Sequence, residues 1–107
     1  MPTYDRNATP EFVERVLDLA ERIPPGAVMS YGDVAEYLGE GGPRQMGWVM
    51  SHYGAAVPWW RVVQADGSPL RGHEAQALAR YRAEEAPLRL SGDRIDMKRA
   101  RWDGQHV

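Results

Sequence analysis

Apolar residues at Phe12, Val16, Leu19, Ala20 and Ile23 recur at helical spacing and mark one buried face of a first helix. Thr9-Pro10-Glu11 supplies its start, with a hydroxyl cap, proline at the first helical position and an early acid that favours the helix dipole. Pro24-Pro25-Gly26 stops it. Ser30-Tyr31-Gly32-Asp33 then predicts a capping box, opening a short helix that carries Val34, Ala35 and Leu38. The glycine-rich stretch 39–42 ends that helix, and Pro43 can open the next, where Met46, Val49, Met50 and Tyr53 form a stripe at i, i+3, i+4 and i+7. Two short helices joined by such a turn predict a helix-turn-helix.

Beyond Gly54-Ala55-Ala56 the pattern changes. Val62-Val63-Gln64 runs into the turn Ala65-Asp66-Gly67-Ser68, which predicts a hairpin wing, although Pro69 weakens the returning strand. Residues 73–85 are helical again, with Ala77, Leu78 and Tyr81 inward and Pro87 as the stop. Leu88, Leu90, Ile95 and Met97 predict short extended pieces around Gly92-Asp93. The tail from Lys98, with Arg99, Arg101 and Trp102, is expected to be loosely held. The fold class expected is mainly α: a single winged helix-turn-helix-like domain with a small β-hairpin wing, its core at about residues 10–85.

Composition narrows this further. A chain of 107 residues suits one modest core, and 43% apolar with 26% charged residues is ordinary for a soluble globular protein. No apolar run approaches the roughly 20 residues of a membrane helix, and the cytoplasm and a monomeric state are the default expectations. The sequence has no cysteine, which excludes thiol chemistry. His52, His73 and His106 are scattered singly, and no metal-ligand spacing or phosphate-loop pattern is present, so no metal or cofactor is expected. The net charge of -2 argues against a generic nucleic-acid binder, yet nine of the 13 Lys and Arg lie in residues 54–107. An anionic partner would meet the second half, plus a few placed arginines in the first.

Two stretches invite a functional reading. On the third helix Arg44, Gly47 and Ser51 share the face opposite the apolar stripe, one long cation followed by small residues. Such a face allows close approach to another surface or close packing on another helix. In Val57-Pro58-Trp59-Trp60-Arg61-Val62-Val63, the paired tryptophans suit either a strand buried on both faces or a binding pocket.

The ordered set "SYGDVAEYLG" (30–39), "PRQMGWVMS" (43–51) and "VPWWRVV" (57–63) resembles the DNA-binding, active-site domain of O6-alkylguanine-DNA alkyltransferases, and more closely the alkyltransferase-like proteins. The alkyltransferases read Pro-Cys-His-Arg-Val in the third motif, where the cysteine accepts the alkyl group. Here Trp59 replaces that nucleophile and Trp60 the histidine that helps activate it, and an indole offers only an N–H donor. The resemblance therefore implies a non-enzymatic protein that binds O6-alkylguanine in double-stranded DNA without repairing it, and a handover to nucleotide excision repair. Alkyltransferase-like proteins commonly keep the histidine, so Trp60 departs from both patterns; it either enlarges an aromatic wall or fills core.

The same resemblance implies roles for single residues. Arg44 matches the arginine finger that enters the base stack, and Tyr31 the tyrosine that rotates the phosphate and helps extrude the nucleotide. Gly47 and Ser51 lie on a helix that the family lays in the minor groove. Tyr31, Trp59, Trp60 and Arg71 are expected around the lesion pocket, the last on a loop that closes over the flipped base. Pro58 and Arg61 are expected to anchor the site structurally. The alternative reading is a winged helix-turn-helix regulator with no lesion preference.

Overall fold

The computed structural model describes residues 9–105; His106 therefore lies outside the described residues. Helix α1 (Pro10–Arg22) begins where Thr9 Oγ1 accepts the Phe12 N–H at 3.2 Å, and buries Phe12, Val16, Leu19 and Ala20. A short strand β1 (Met29–Ser30) leads directly into α2 (Tyr31–Leu38). The capping box forms with both halves present: Asp33 N–H donates to Ser30 Oγ at 3.0 Å, and Ser30 N–H donates to Asp33 Oδ2 at 2.9 Å. Gly39, at φ 72°, ends α2 in the left-handed conformation that glycine adopts without penalty. Helix α3 (Pro43–Tyr53) opens on its proline and turns Met46, Val49 and Met50 inward against α1 and α2.

Two short 3-10 turns, Gly54–Ala56 and Trp59–Arg61, carry the chain to strand β2 (Val62–Val63). Strand β2 pairs with β1 in parallel, Met29 beside Val62 and Ser30 beside Val63. The residue that caps α2 is thereby tied to the end of the tryptophan segment. Helix α4 (Glu74–Glu84) buries Ala77 and Tyr81, and α5 (Met97–Ala100) follows.

The chain is mainly α and winged helix-turn-helix-like, as its pattern predicts, but its β component is built differently. The Asp66-Gly67 turn closes through Gly67 N–H to Gln64 O and Gln64 N–H to Ser68 O, both 2.9 Å, yet no returning strand follows among the described residues. Pro69 has no N–H to donate, and its carbonyl is taken by the Gln64 side chain at 2.8 Å. The expected hairpin is thus a closed turn, and β2 finds its partner in β1. Ile95 N–H donates to Gly67 O at 3.0 Å, and a Cβ on Gly67 would meet Ile95 O at 2.2 Å, so only glycine allows this approach.

The tail from Lys98 is also not loosely held, as far as Gln105. Val28 N–H donates to Ala100 O at 2.9 Å and Trp102 N–H to Val28 O at 2.8 Å, while the Trp102 ring is buried in the cluster built on α1. Terminal position alone predicts a loose tail; backbone pairing to a distant residue overrides it. The core has two parts, one around α1, α2 and α3, the other made by Val28, Val63, Ala77, Tyr81, Ala86, Ile95 and Ala100. Trp59 packs against both.

Candidate nucleic-acid interface

The start of α2 and the outer face of α3 meet in an open groove of about 590 Å³, lined among others by Tyr31, Pro43, Arg44, Gly47, Ser51 and Arg71. The Tyr31 ring lies along α3 beside Gly47, where a Cβ would meet it at 3.6 Å, an ordinary van der Waals contact. Arg44, in the first turn of α3, is exposed and has no ion-pair partner among the described residues. The Tyr31 hydroxyl is buried, without a hydrogen-bond partner among the described residues. Burial pushes this phenol up to about 12, with Arg71 pulling weakly the other way, so it remains a neutral, idle O–H donor at neutral pH.

Ser51 and Leu70 also line a second concavity of about 480 Å³, whose walls include Met50, Trp59, His73, Gln76 and Arg80. The two spaces therefore adjoin. Trp59 is half-buried, its ring 5.5 Å from that of His73 and almost perpendicular to Trp60 at 5.7 Å. An indole face beside a cationic rim, with apolar Met50 and Leu70 nearby, can accept a flat aromatic ligand.

Trp60 lines neither of these two spaces. Its Nε1–H donates to Glu84 Oε1 at 2.9 Å, and the guanidinium groups of Arg80 and Arg61 lie 4.5 and 5.4 Å from its ring. Arg61 donates to both Glu84 carboxylate oxygens, and its Nη1 donates to Ile23 O at 3.0 Å, which ties the tryptophan segment to the end of α1. Glu84 Oε2 accepts the Gly26 N–H at 3.0 Å. Burial raises the Glu84 carboxyl, but the Arg61, Gly26 and Trp60 hydrogen bonds together outweigh it and hold the group below its ordinary range. Pro58 opens the 3-10 turn, its carbonyl accepting the Arg61 N–H at 3.1 Å.

Of the expected pocket residues, the fold thus brings Tyr31 and Arg71 into the groove and Trp59 into the adjoining concavity, and it leaves Trp60 in a structural network. Sequence reasoning missed Glu84, His73, Gln76 and Arg80. Glu84 carried a signal, because an acid in the last turn of a helix opposes the dipole and calls for a partner elsewhere. His52 is exposed and hydrogen-bonded to Trp48 O at 2.8 Å. Tyr81 buries its ring and donates to Trp60 O at 2.6 Å. Tyr81→Phe is expected to cost about 1 kcal/mol, one neutral hydrogen bond, as a shift of the urea midpoint at unchanged slope.

A helix-turn-helix with a cation and small residues on its second helix, backed by a short sheet and a closed turn, defines a winged-helix-like nucleic-acid-binding domain. Residues 11–86 match the model of the 6-O-methylguanine DNA methyltransferase DNA-binding domain, and the chain belongs to that family. It is 34% identical over 96 residues to a DNA base-flipping protein of Escherichia coli, covering 86% of this chain and 74% of that protein. Alkyltransferase-like protein 1 of Schizosaccharomyces pombe is 39% identical over 61 residues, 54% of this chain and 56% of its own. The crystal structure of S. pombe Atl1 in complex with damaged DNA containing O6-carboxymethylguanine superposes with a TM-score of 0.72 at 28% identity, covering 88% of this chain and 96% of that one.

Proposed function

We propose that this protein recognises O6-alkylguanine in duplex DNA by turning the nucleotide out of the stack and holding it, without transferring the alkyl group. The observation that carries this reading is Trp59. It lines a concavity that adjoins the Tyr31–Arg44 groove, in a chain with no cysteine. A thiolate in that place would attack the alkyl carbon; an indole provides a flat wall and no comparable nucleophile.

Each groove residue has a physical task in this scheme. Extruding a nucleotide costs a few kcal/mol, and the vacated space must be filled. Arg44 stands free in the first turn of α3, where its planar guanidinium can stack and hydrogen-bond to the orphaned base in a way lysine cannot imitate. Gly47 and Ser51 keep the helix face thin enough for the minor groove. Tyr31 forms part of the groove wall at the start of α2, and Arg71 is exposed beside it to contact phosphate or base. The flipped base passes the shared rim at Ser51 and Leu70 and lies against Trp59.

The chain acts as a monomer in the cytoplasm under this reading. Because it has no cysteine to accept the alkyl, removal falls to another system in this reading, and we assign the handover to nucleotide excision repair. The relatives that are named for base flipping and that bind damaged DNA support lesion recognition over a sequence-reading regulator. A fluorescent base analogue beside the lesion tests the scheme. Arg44→Ala is expected to lose most of the flipping signal while its affinity for undamaged duplex falls only several-fold; an unchanged signal would contradict the finger role.

A further inference from the structure

Residues 87–99 lie beyond the family match, and nothing in the scheme above uses them. They fold over the Asp66-Gly67 turn through Ile95 N–H to Gly67 O, and the Leu88–Ile95 bridge holds their own loop closed. The result is an open bay of about 740 Å³ whose charged lining is Arg89, Arg94, Lys98 and Arg99 against Asp66 and Asp96. Four cations face two acids there, in a chain whose net charge is -2. Arg89, Lys98 and Arg99 are exposed and make no ion pair among the described residues. Arg94 meets Asp66 only at 3.4 Å, and its Nε is buried with no hydrogen-bond partner among the described residues. Asp96 is engaged in capping α5, where it accepts the Lys98 N–H at 3.1 Å.

Ala65 lines both this bay and the Tyr31–Arg44 groove, so the two surfaces are continuous. We propose that the bay is a second DNA contact, in which Arg89, Lys98 and Arg99 bind phosphates of a strand that leaves the groove past Ala65. This rests on the reading of the groove as a DNA site. Phosphate is the ligand that matches uncommitted, exposed cations in an open bay, since contact there releases counterions and needs no base-shaped cavity. It also accounts for the concentration of cations in the second half of an acidic chain.

The test is the salt dependence of binding to an undamaged duplex. The full chain is compared with an Arg89→Gln, Lys98→Gln, Arg99→Gln variant. A control of equal charge change carries Arg15→Gln, Arg22→Gln and Arg82→Gln, and thermal melts establish that all three proteins fold. Each phosphate contact contributes about 0.9 to the slope of log K against log salt, so the bay variant should be flatter by about 2 to 3. The control should change by less than about 1, and the ratio of lesion to undamaged affinity should be the same in the bay variant as in the parent. An unchanged slope, or equal flattening in the control, would overturn the proposal. A parent that binds no duplex at all overturns the groove reading itself, which a parent binding with a slope indifferent to the bay does not.

Discussion

Glu84→Ala should lower folding stability by about 3 kcal/mol, the low end of the range for removing one member of a buried ion pair, since this pair keeps some solvent access. The Arg61 and Glu84 side chains are each only 13% exposed. Removing the carboxylate leaves the guanidinium without its counter-charge, and it also strands the Trp60 Nε1–H and the Gly26 N–H. A domain of this size has about 5–15 kcal/mol in total, so the variant sits nearer the edge of folding. Urea unfolding at neutral pH measures the loss. Glu84→Gln should cost less, since its amide oxygen still accepts from Trp60, and it removes a titration. The folded carboxyl lies below its ordinary value of 4.5, so its contribution is complete above that value and is lost as pH falls through the lower folded one. The parent should therefore lose more stability on acidification than Glu84→Gln; identical pH profiles would show that the carboxylate is not held by this network.

Trp59→Ala is expected to reduce affinity for lesion-containing duplex by about 5- to 150-fold, the equivalent of about 1–3 kcal/mol for one base stacked on an aromatic ring. Affinity for undamaged duplex should change little, because Arg44, Gly47 and Arg71 lie in the adjoining groove and not against the indole. Trp59 also packs on both parts of the core, so circular dichroism and a melt must accompany the binding data. Trp59→Phe separates the two roles, retaining part of the wall with less loss of packing. Equal losses on both duplexes with a folded variant would make Trp59 a core residue only.

These two variants distinguish tryptophans that are neighbours in sequence. Trp59 faces a concavity and Trp60 hands its N–H to Glu84, a difference set by a residue 24 positions away. Local rules read the helices well, because a cap, a proline and a 3.6-residue repeat are all contained within one helix: Thr9 and the Ser30–Asp33 box open α1 and α2 as their sequence predicts. The groove residues were legible for a related reason, since Arg44, Gly47 and Ser51 share a face at helical spacing. What failed was non-local. Val62-Val63 beside Asp66-Gly67 reads as a hairpin, and nothing within that stretch reveals that Met29-Ser30 is the better partner. The tail from Lys98 reads as loose from its terminal position, yet Val28 holds it by backbone hydrogen bonds. His73, Gln76 and Arg80 reach the Trp59 concavity only because α4 folds back beside the tryptophan segment.

A site with tryptophan in place of a cysteine nucleophile is expected still to select damaged DNA. Binding of the unmodified protein to two duplexes that differ only in one O6-methylguanine, at one stated salt concentration, tests it most directly. Tighter binding of the lesion duplex, with the alkyl group still on the guanine afterwards, is the predicted result. Equal affinity for both duplexes would contradict it.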